Sequence, residues 1–330
     1  MKSLIKGIKD KEEQAIAIYS YLLQHFTIVE KPFFWVENNI NKCFQEKMAS
    51  RAELNLMMIA ILRHLDIADA KPVLISTLDN GKTIENYATL YQFNHVLVYA
   101  KINGNVRILD LANNWNPYGY PSLSSLNGKG LLIQSDKVDA WDPYNSKFDY
   151  KWISITRPLS SKIFVGNFSL SKEGTLSGHL DMQYMGHAGG MARGQLADDL
   201  TNNNWKEKLQ EKYPQASFSD LIVKNKSDIN TPLELKTECT LPEAAQVMGD
   251  YMYLNPILYP SFNKNPFTSD ERKYEIDFPM LFKHKQVIKI EIPKGYAIEE
   301  LPSSQRFKVC LLYTSPSPRD ATLSRMPSSA

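Results

Sequence analysis

Lys47-Met-Ala-Ser-Arg-Ala-Glu-Leu-Asn-Leu-Met-Met-Ile-Ala-Ile-Leu-Arg63 is the stretch around which the rest of the chain is organised. Ser50 followed three residues later by Glu53 forms a capping box, and an apolar run follows at once, which predicts a largely buried helix from about Arg51 to Leu65. The start of a helix offers free N–H groups and a positive dipole end, which suit a thiolate or another anion. The helix start is therefore predicted to face a site, yet its first residue is Arg51.

The elements next to this helix are read from apolar spacing and turn residues. Residues 10–26 are amphipathic, with apolar side chains at three- and four-residue spacing, so they predict another helix. A short helix is expected within residues 36–44. Lys71–Thr77 is a short strand rich in β-branched residues, and Asp79-Asn-Gly81 marks the turn after it.

A hairpin brings together two residues that can do chemistry. Phe93–Ala100 and Val106–Asp110 read as strands around Asn103-Gly104, which is a strong hairpin signal. His95 lies near the start of the first strand and Asp110 at the end of the second. In a tight antiparallel hairpin these positions come close to paired register, so we expect the two side chains to meet.

The rest of the chain divides into an irregular segment and a strand-rich half. Residues 111–152 are rich in Asn, Pro, Gly and Trp and are predicted to be an irregular segment that closes a first domain. From about Ile153 strand follows strand, with a helical interlude at residues 188–213. The strands are predicted at residues 161–170, 178–184, 221–224, 233–239, 251–254, 273–278 and 286–292. We therefore predict an α+β protein with helices on an antiparallel sheet in residues 1–152 and an antiparallel, sandwich-like domain with helices in residues 153–309.

The last residues do not look like natural protein. Cys310-Leu-Leu-Tyr-Thr-Ser-Pro-Ser-Pro-Arg-Asp320 reads as a translated sequencing adapter, and residues 324–330 look like its distal end. We predict that residues 310–330 are an artefactual tail that does not belong to the fold. A natural Ser/Pro-rich tail is the alternative.

Composition excludes several classes of function. The net charge of the 330 residues is +2 and no basic run stands out, so a nucleic-acid partner is not expected. No apolar run reaches the roughly 20 residues of a membrane span. Outside the tail only Cys43 and Cys239 remain, too few for a disulfide framework, although a single bridge stays open. His179-Leu-Asp181 with His187 matches no established metal-site spacing, and neither a metal nor a cofactor is predicted.

A capped helix, a strand with His and a neighbouring strand with Asp resemble the Cys–His–Asp core of papain-like and transglutaminase-like proteins. The chain resembles in particular the transglutaminase-like envelope proteins of Bacteroidetes, which carry a transglutaminase-associated C-terminal domain. The residues that carry the resemblance are Glu53-Leu-Asn-Leu56, Pro72–Gly81, Phe93–Tyr99, Leu109-Asp110, Tyr118–Pro121, Asn127–Gly130, Gly249–Pro256, Asn265-Pro-Phe267 and Glu271–Tyr274.

The resemblance implies an architecture and a cellular location. Residues 1–152 would be the transglutaminase-like core and residues 153–309 the associated domain. A periplasmic or cell-envelope location is expected, and a secretion signal and a β-sandwich that precede the core in full members would be missing here.

The resemblance also assigns roles by position. The family thiol lies two residues before the helix glutamate, His95 would be the base and Asp110 its orienter. Position 51 is an arginine, which cannot attack a carbonyl. We therefore predict a catalytically inactive module with a structural or protein- or peptide-binding role, in which His95 and Asp110 are vestigial. A sharper hypothesis is that Arg51 forms a salt bridge with Asp110 or captures a substrate carboxylate.

Two further hypotheses concern a groove and a replacement nucleophile. Trp115, Tyr118 and Trp141 are candidates to line a substrate groove. The alternative function is an active cysteine protease, amidase or transglutaminase that uses Cys43, or another displaced nucleophile, with His95 and Asp110. The oligomeric state is left open.

Overall fold

A computed structural model describes residues 1–31, 34–87, 89–134, 149–197, 207, 210–211, 214–258, 278 and 280–303. Helices and mostly antiparallel sheets occur together, so the predicted α+β class is confirmed. The first half contains α1 (Lys11–His25), β1 (Thr27–Val29), α2 (Ile40–Glu46), β2 (Met48–Ser50), α3 (Arg51–His64), β3 (Asp69–Ile75), β4 (His95–Ile102), β5 (Asn105–Leu109), β6 (Lys129–Ile133) and β7 (Tyr150–Ser154). The second half contains β8 (Leu159–Leu170), β9 (Leu176–Met185), α4 (His187–Ala197), β10 (Ser217–Phe218), β11 (Ile222–Lys224), β12 (Leu233–Leu241), β13 (Ala245–Met248), β14 (Tyr251–Leu254) and β15 (Leu281–Glu291).

The first half is built on a five-stranded antiparallel sheet in the order β5-β4-β3-β6-β7. On one face α1, α2 and α3 bury their apolar sides, with Leu54 and Met58 of α3 fully enclosed against Val98 of β4. The other face is covered by a smaller core around Leu97, Leu126 and Ile155. Burial on both faces explains why β3 and β4 are apolar almost throughout.

The hairpin β4–β5 has the predicted position. Asn103 and Gly104 both take positive φ values, 49° and 84°, as a two-residue turn with right-handed strand twist requires. Val98 pairs with Leu109, so Asp110 comes directly after the last residue of β5. This register places the start of β4 beside the chain that leaves β5.

Residues 111–152 are not irregular throughout, contrary to the prediction. β6 lies within this segment and β7 crosses its end. β6 pairs with β3 and β7 with β6, so both extend the first sheet. Gly130 in β6 explains the missed signal, because an added Cβ would lie 2.6 Å from a methyl carbon of Val73. The residue that weakens the strand pattern is thus one that close packing requires.

The second half is built on a six-stranded sheet in the order β10-β12-β9-β8-β15, with β11 also paired to β12. All these pairs are antiparallel except that of β8 with β15. The small hairpin β13–β14 and α4 pack their apolar side chains against the same core. α4 covers the start of the predicted helical interlude, and most of residues 198–213 lie outside the described residues, as does the strand predicted at 273–278 except for position 278.

Two findings bear on the compositional predictions. Among the described residues no helix combines the length and apolarity that crossing a bilayer needs. Cys43 and Cys239 are both buried free thiols, so the bridge between them that the sequence left open does not form.

Candidate functional site

The start of α3 has the predicted capping box. The Ser50 hydroxyl accepts from the Glu53 N–H at 3.2 Å, and the Glu53 carboxylate accepts from the Ser50 N–H at 2.7 Å. Glu53 also accepts from the backbone N–H groups of Asn38 and Glu37, which lie before α2. Burial alone would raise the pKa of Glu53, but these donors outweigh it and lower that pKa. A buried carboxylate therefore fixes the helix start and the loop beside it.

Arg51 occupies the first position of α3, and its side chain forms an ion pair that does not involve the His–Asp pair. Its guanidinium pairs with the Glu30 carboxylate, and both side chains are largely exposed. The predicted alternative of an Arg51–Asp110 ion pair is therefore wrong. Asp110 is fully buried and already surrounded by donors, so no room is left for a guanidinium.

His95 and Asp110 meet as the hairpin register predicts. His95 Nε2 lies 2.9 Å from Asp110 Oδ1, and both residues are buried. His95 begins β4 and Asp110 follows β5, so the contact is diagonal across the open end of the hairpin. The hairpin alone is enough to bring the pair together.

Asp110 is held by four further donors. Its carboxylate accepts from the N–H groups of Ala112 and Ser122, the Ser125 hydroxyl and the Asn55 amide at 2.9 to 3.4 Å. Burial acts to raise the pKa of this carboxyl, but the charge and hydrogen bond of His95 and the Ser122 donors hold that pKa well below its usual range. Asp110 is therefore ionised at every pH at which the protein would be studied.

Asn55 is a site residue that the sequence reasoning missed. It lies fully buried on α3, and its side-chain oxygen accepts from the Leu111 N–H at 3.0 Å while its amide reaches Asp110. This amide ties the helix to the turn that carries the carboxylate. The signal was present as a single Asn inside the apolar run, since a polar side chain buried there needs partners.

His95 and Arg51 line a cleft of about 780 Å³. The first half contributes loop residues to its walls, among them Lys31, Thr77, Asp79, Asn94, Trp115, Asn116 and Ser122–Ser125. The second half contributes His187, Gly190, Met191, Gly194 and Gln195, all from α4. The cleft is therefore assembled from both halves of the chain.

α4 approaches the first half closely because its contact face carries glycines. A Cβ on Gly190 would lie 2.2 Å from the Trp115 carbonyl oxygen, and one on Gly194 would lie 3.3 Å from the indole ring. His187 begins the helix, and its ring donates from Nε2 to the Pro121 carbonyl at 2.6 Å. Burial lowers the pKa of His187, which fits a neutral ring that holds α4 in place.

The three predicted groove residues have different positions. Trp115 lines the cleft. Tyr118 does not line it: its ring packs edge-on against Tyr19 in the core of the first half, with the ring centres 5.6 Å apart. Trp141 lies outside the described residues.

Cys43, the alternative nucleophile, lies on α2 and not on the cleft wall. Its side chain is 1% exposed, and burial together with the neighbouring Glu53 carboxylate raises the pKa of its thiol. Both features oppose formation of a thiolate. Cys239 is buried as well, and burial raises the pKa of that thiol to about 11.

The arrangement can position and transfer a proton, and neither of the two described thiols, Cys43 and Cys239, lines the cleft. His95 Nδ1, the ring nitrogen that Asp110 does not hold, has no hydrogen-bond partner among the described residues. The other residues considered as metal ligands are engaged elsewhere: His179 contacts the Asn167 amide and Asp181 pairs with Lys236. Within the described ranges no three His, Cys, Asp or Glu side chains form a metal-binding group.

Comparisons with known proteins give two findings. A family described as a domain of unknown function, DUF3858, matches residues 250–310, and none of the described residues in that range lines the cleft. The chain is also similar to the crystal structure of a "putative protease" from Parabacteroides distasonis ATCC 8503, at 7% sequence identity and a TM-score of 0.31. That similarity covers 73% of this chain and 48% of the other, so the chain spans about half the length of that protein. No curated protein matches the sequence.

Proposed function

We propose that the first half is a papain- or transglutaminase-like core that has lost its nucleophile and that its cleft binds protein or peptide. The observation that carries the proposal is the intact His95–Asp110 pair on a cleft wall that also carries Arg51 where the thiol would stand. In a cysteine enzyme a histidine oriented by a carboxylate is the base that activates the thiol, so the pair supplies the base and its orienter but not the nucleophile. Without the thiol, the cleft keeps the means to hold a substrate but not to attack it.

The size and lining of the cleft support binding as the remaining role. Its volume of about 780 Å³ lies in the range of ligand sites, and its lining is mostly polar with a few apolar side chains such as Trp115 and Met191, which suits the backbone and polar groups of a peptide. The position of Cys43 on another element speaks against the alternative of an active cysteine enzyme. The residue ranges 1–152 and 153–309 for the two domains, and a cell-envelope location, remain part of this proposal on the strength of the sequence resemblance.

Peptide binding is tested with the full chain on an array of unrelated peptides. Met191→Glu places a charge on the apolar side of the cleft at a side chain that is 51% exposed, so folding should be retained. Met248→Glu is the matched control, because Met248 is 54% exposed and lies on β13, away from the cleft. We expect array binding that Met191→Glu abolishes and the control preserves. Equal binding by both variants would refute a role for the cleft.

The relation to a thiol enzyme is tested by restoring the missing group. Arg51→Cys in a Cys310→Ser background should give a thiol that reacts with iodoacetamide at pH 6.5 at least about tenfold faster than Met48→Cys, an exposed position on β2. Adding His95→Gln should remove the difference, because the imidazolium no longer stabilises the thiolate. Equal rates at positions 51 and 48 would contradict the proposed scaffold.

A further inference from the structure

We infer that the cleft recognises a carboxylate-bearing peptide, with the carboxylate on the Arg51 guanidinium and a ligand N–H on His95. This inference rests on the proposed binding function and names the chemistry of its ligand. It follows from the hydrogen-bonding capacity that the two side chains leave unused and from the charges along the cleft.

His95 presents an acceptor without a partner. Asp110 is an ionised carboxylate, which can only accept, so His95 Nε2 donates to it. In the neutral ring Nδ1 is then an acceptor, and it has no partner in the described chain although His95 is only 7% exposed. This acceptor is not enclosed but opens on the cleft, whose wall includes His95, so it is placed to accept from a ligand N–H group.

Arg51, in contrast to His95, presents unused hydrogen-bond donors. A guanidinium has five N–H donors, and Arg51 uses one of its terminal nitrogens on Glu30 Oε1. The Arg51 side chain is 48% exposed and that of Glu30 is 73% exposed, and ion pairs as exposed as this one are weak. A ligand carboxylate can therefore replace Glu30 or bind beside it with two parallel hydrogen bonds.

The charge of the lining favours an anion near the start of α3. The charged side chains among the described lining residues are Lys31, Arg51 and Asp79, and the hydroxyl of Thr77 already donates to Asp79. The carboxylates that pair with the two cations, Glu37 and Glu30, do not line the cleft. The positive end of the α3 dipole adds to this field.

The opposite wall suits the rest of a peptide. Met191 and the Trp115 ring are apolar, and Gln195 adds an amide that can donate and accept. A peptide offers all three complements at once: a carboxylate, backbone N–H groups and a side chain to lie between Met191 and Trp115.

The test uses isothermal titration with the full chain. It compares three sets of N-acetylated pentapeptides whose mixed sequences are the same apart from the differences given next. One set ends in a free carboxylate, the second is amidated, and the third is amidated with an internal Glu. We expect the first or the third set to bind at least about tenfold more tightly than the second, which is about 1.4 kcal/mol. The tighter of the two identifies the carboxylate as a chain terminus or a side chain.

Two variants assign the effect to Arg51. Arg51→Gln should remove the preference for the two carboxylate-bearing sets while leaving the binding of the second set, which has no carboxylate, unchanged. Arg107→Gln is the matched control, because Arg107 forms a similar partly exposed pair with Glu12 outside the cleft. It should keep the full preference.

The outcomes separate this inference from the function it rests on. Equal binding of acidic and amidated sets would overturn carboxylate recognition and leave peptide binding intact. A preference that survives Arg51→Gln would also overturn it. Absence of binding by every set would overturn both proposals.

Discussion

Asp110 is the residue on which the geometry of the site depends most. It is fully buried and accepts from a histidine, two backbone N–H groups, a hydroxyl and an amide. Every one of these groups is a donor toward it. An uncharged or donating replacement at this position therefore meets an environment built for an anion.

Asp110→Asn should lower the free energy of unfolding by about 3 kcal/mol, because its amide places a donor against donors and leaves buried groups unpaired. Urea unfolding followed by circular dichroism measures the loss. Asp181→Asn is the control, since Asp181 pairs with Lys236 in a partly exposed ion pair and should cost less than about 1 kcal/mol. Similar losses in both variants would show that the donors around Asp110 contribute little.

The same residue predicts how stability depends on pH. The pKa of Asp110 in the folded protein lies below the value of about 3.9 for an unfolded Asp. Its contribution is therefore complete above the unfolded pKa and is lost as the pH falls toward the folded pKa. The gap in unfolding free energy between the native chain and Asp110→Asn should be full at pH 6 to 7 and shrink below about pH 4. A gap that stays constant from pH 7 to pH 3 would contradict the lowered pKa.

At the scale of the elements, the start of α3 depends on one carboxylate. Glu53 accepts from the N–H groups of Ser50, Asn38 and Glu37 and so holds the helix to the loop before α2. The loop carries Lys31 and Glu37 as an ion pair beside the cleft. Weakening this attachment should loosen a cleft wall as well as the helix.

Glu53→Gln should destabilise the protein by about 1 to 3 kcal/mol, because a neutral amide accepts backbone hydrogen bonds less strongly and brings an unpaired donor. Chemical unfolding gives the magnitude, and hydrogen exchange at Asn38 should become faster. Glu46→Gln on α2 is the control, since Glu46 is exposed and its ion pair with Lys42 is long, at 3.9 Å. Unchanged exchange at Asn38 would show that Glu53 does not hold the loop.

Local elements were predictable where the signal lies in a few adjacent residues. The capping box and the Asn103-Gly104 turn need only neighbours in sequence, so the helix start, the hairpin and the His95–Asp110 contact followed from them. β6 and β7 were missed because their pairing joins distant segments and Gly130 reads as a loop residue. The Arg51–Glu30 pair was missed because β1 and β2 must first pair to bring Glu30 near.

At the scale of the whole molecule, the cleft depends on the docking of α4. No periodicity in residues 188–213 indicates that this helix touches the first half. The contact joins α4, which packs on the second sheet, to Trp115 in the first half, and these residues are far apart in sequence. This is why His187 and Met191 as cleft residues could not be found from sequence.

Gly190→Ala tests this docking. The added methyl would lie 2.2 Å from the Trp115 carbonyl oxygen, so the backbone must move, at a cost of about 1 to 3 kcal/mol. We expect a lower unfolding free energy together with weakened peptide binding. Met191→Ala, on the same helix but half exposed, should keep the stability within about 0.5 kcal/mol. Unchanged stability of Gly190→Ala would mean that α4 is not closely packed there.

The shared construction of the cleft has a consequence for its evolution. The chemical pair His95 and Asp110 belongs to one sheet, whereas Gly190, Met191 and Gln195 belong to a helix that packs on the other. Substitutions at the exposed positions of α4 can retune ligand choice while the buried pair stays under its own packing constraints. On the proposed binding function, divergence between orthologues should therefore concentrate at the exposed positions Met191 and Gln195 of that helix, and drift there would change what is bound before it changes the fold.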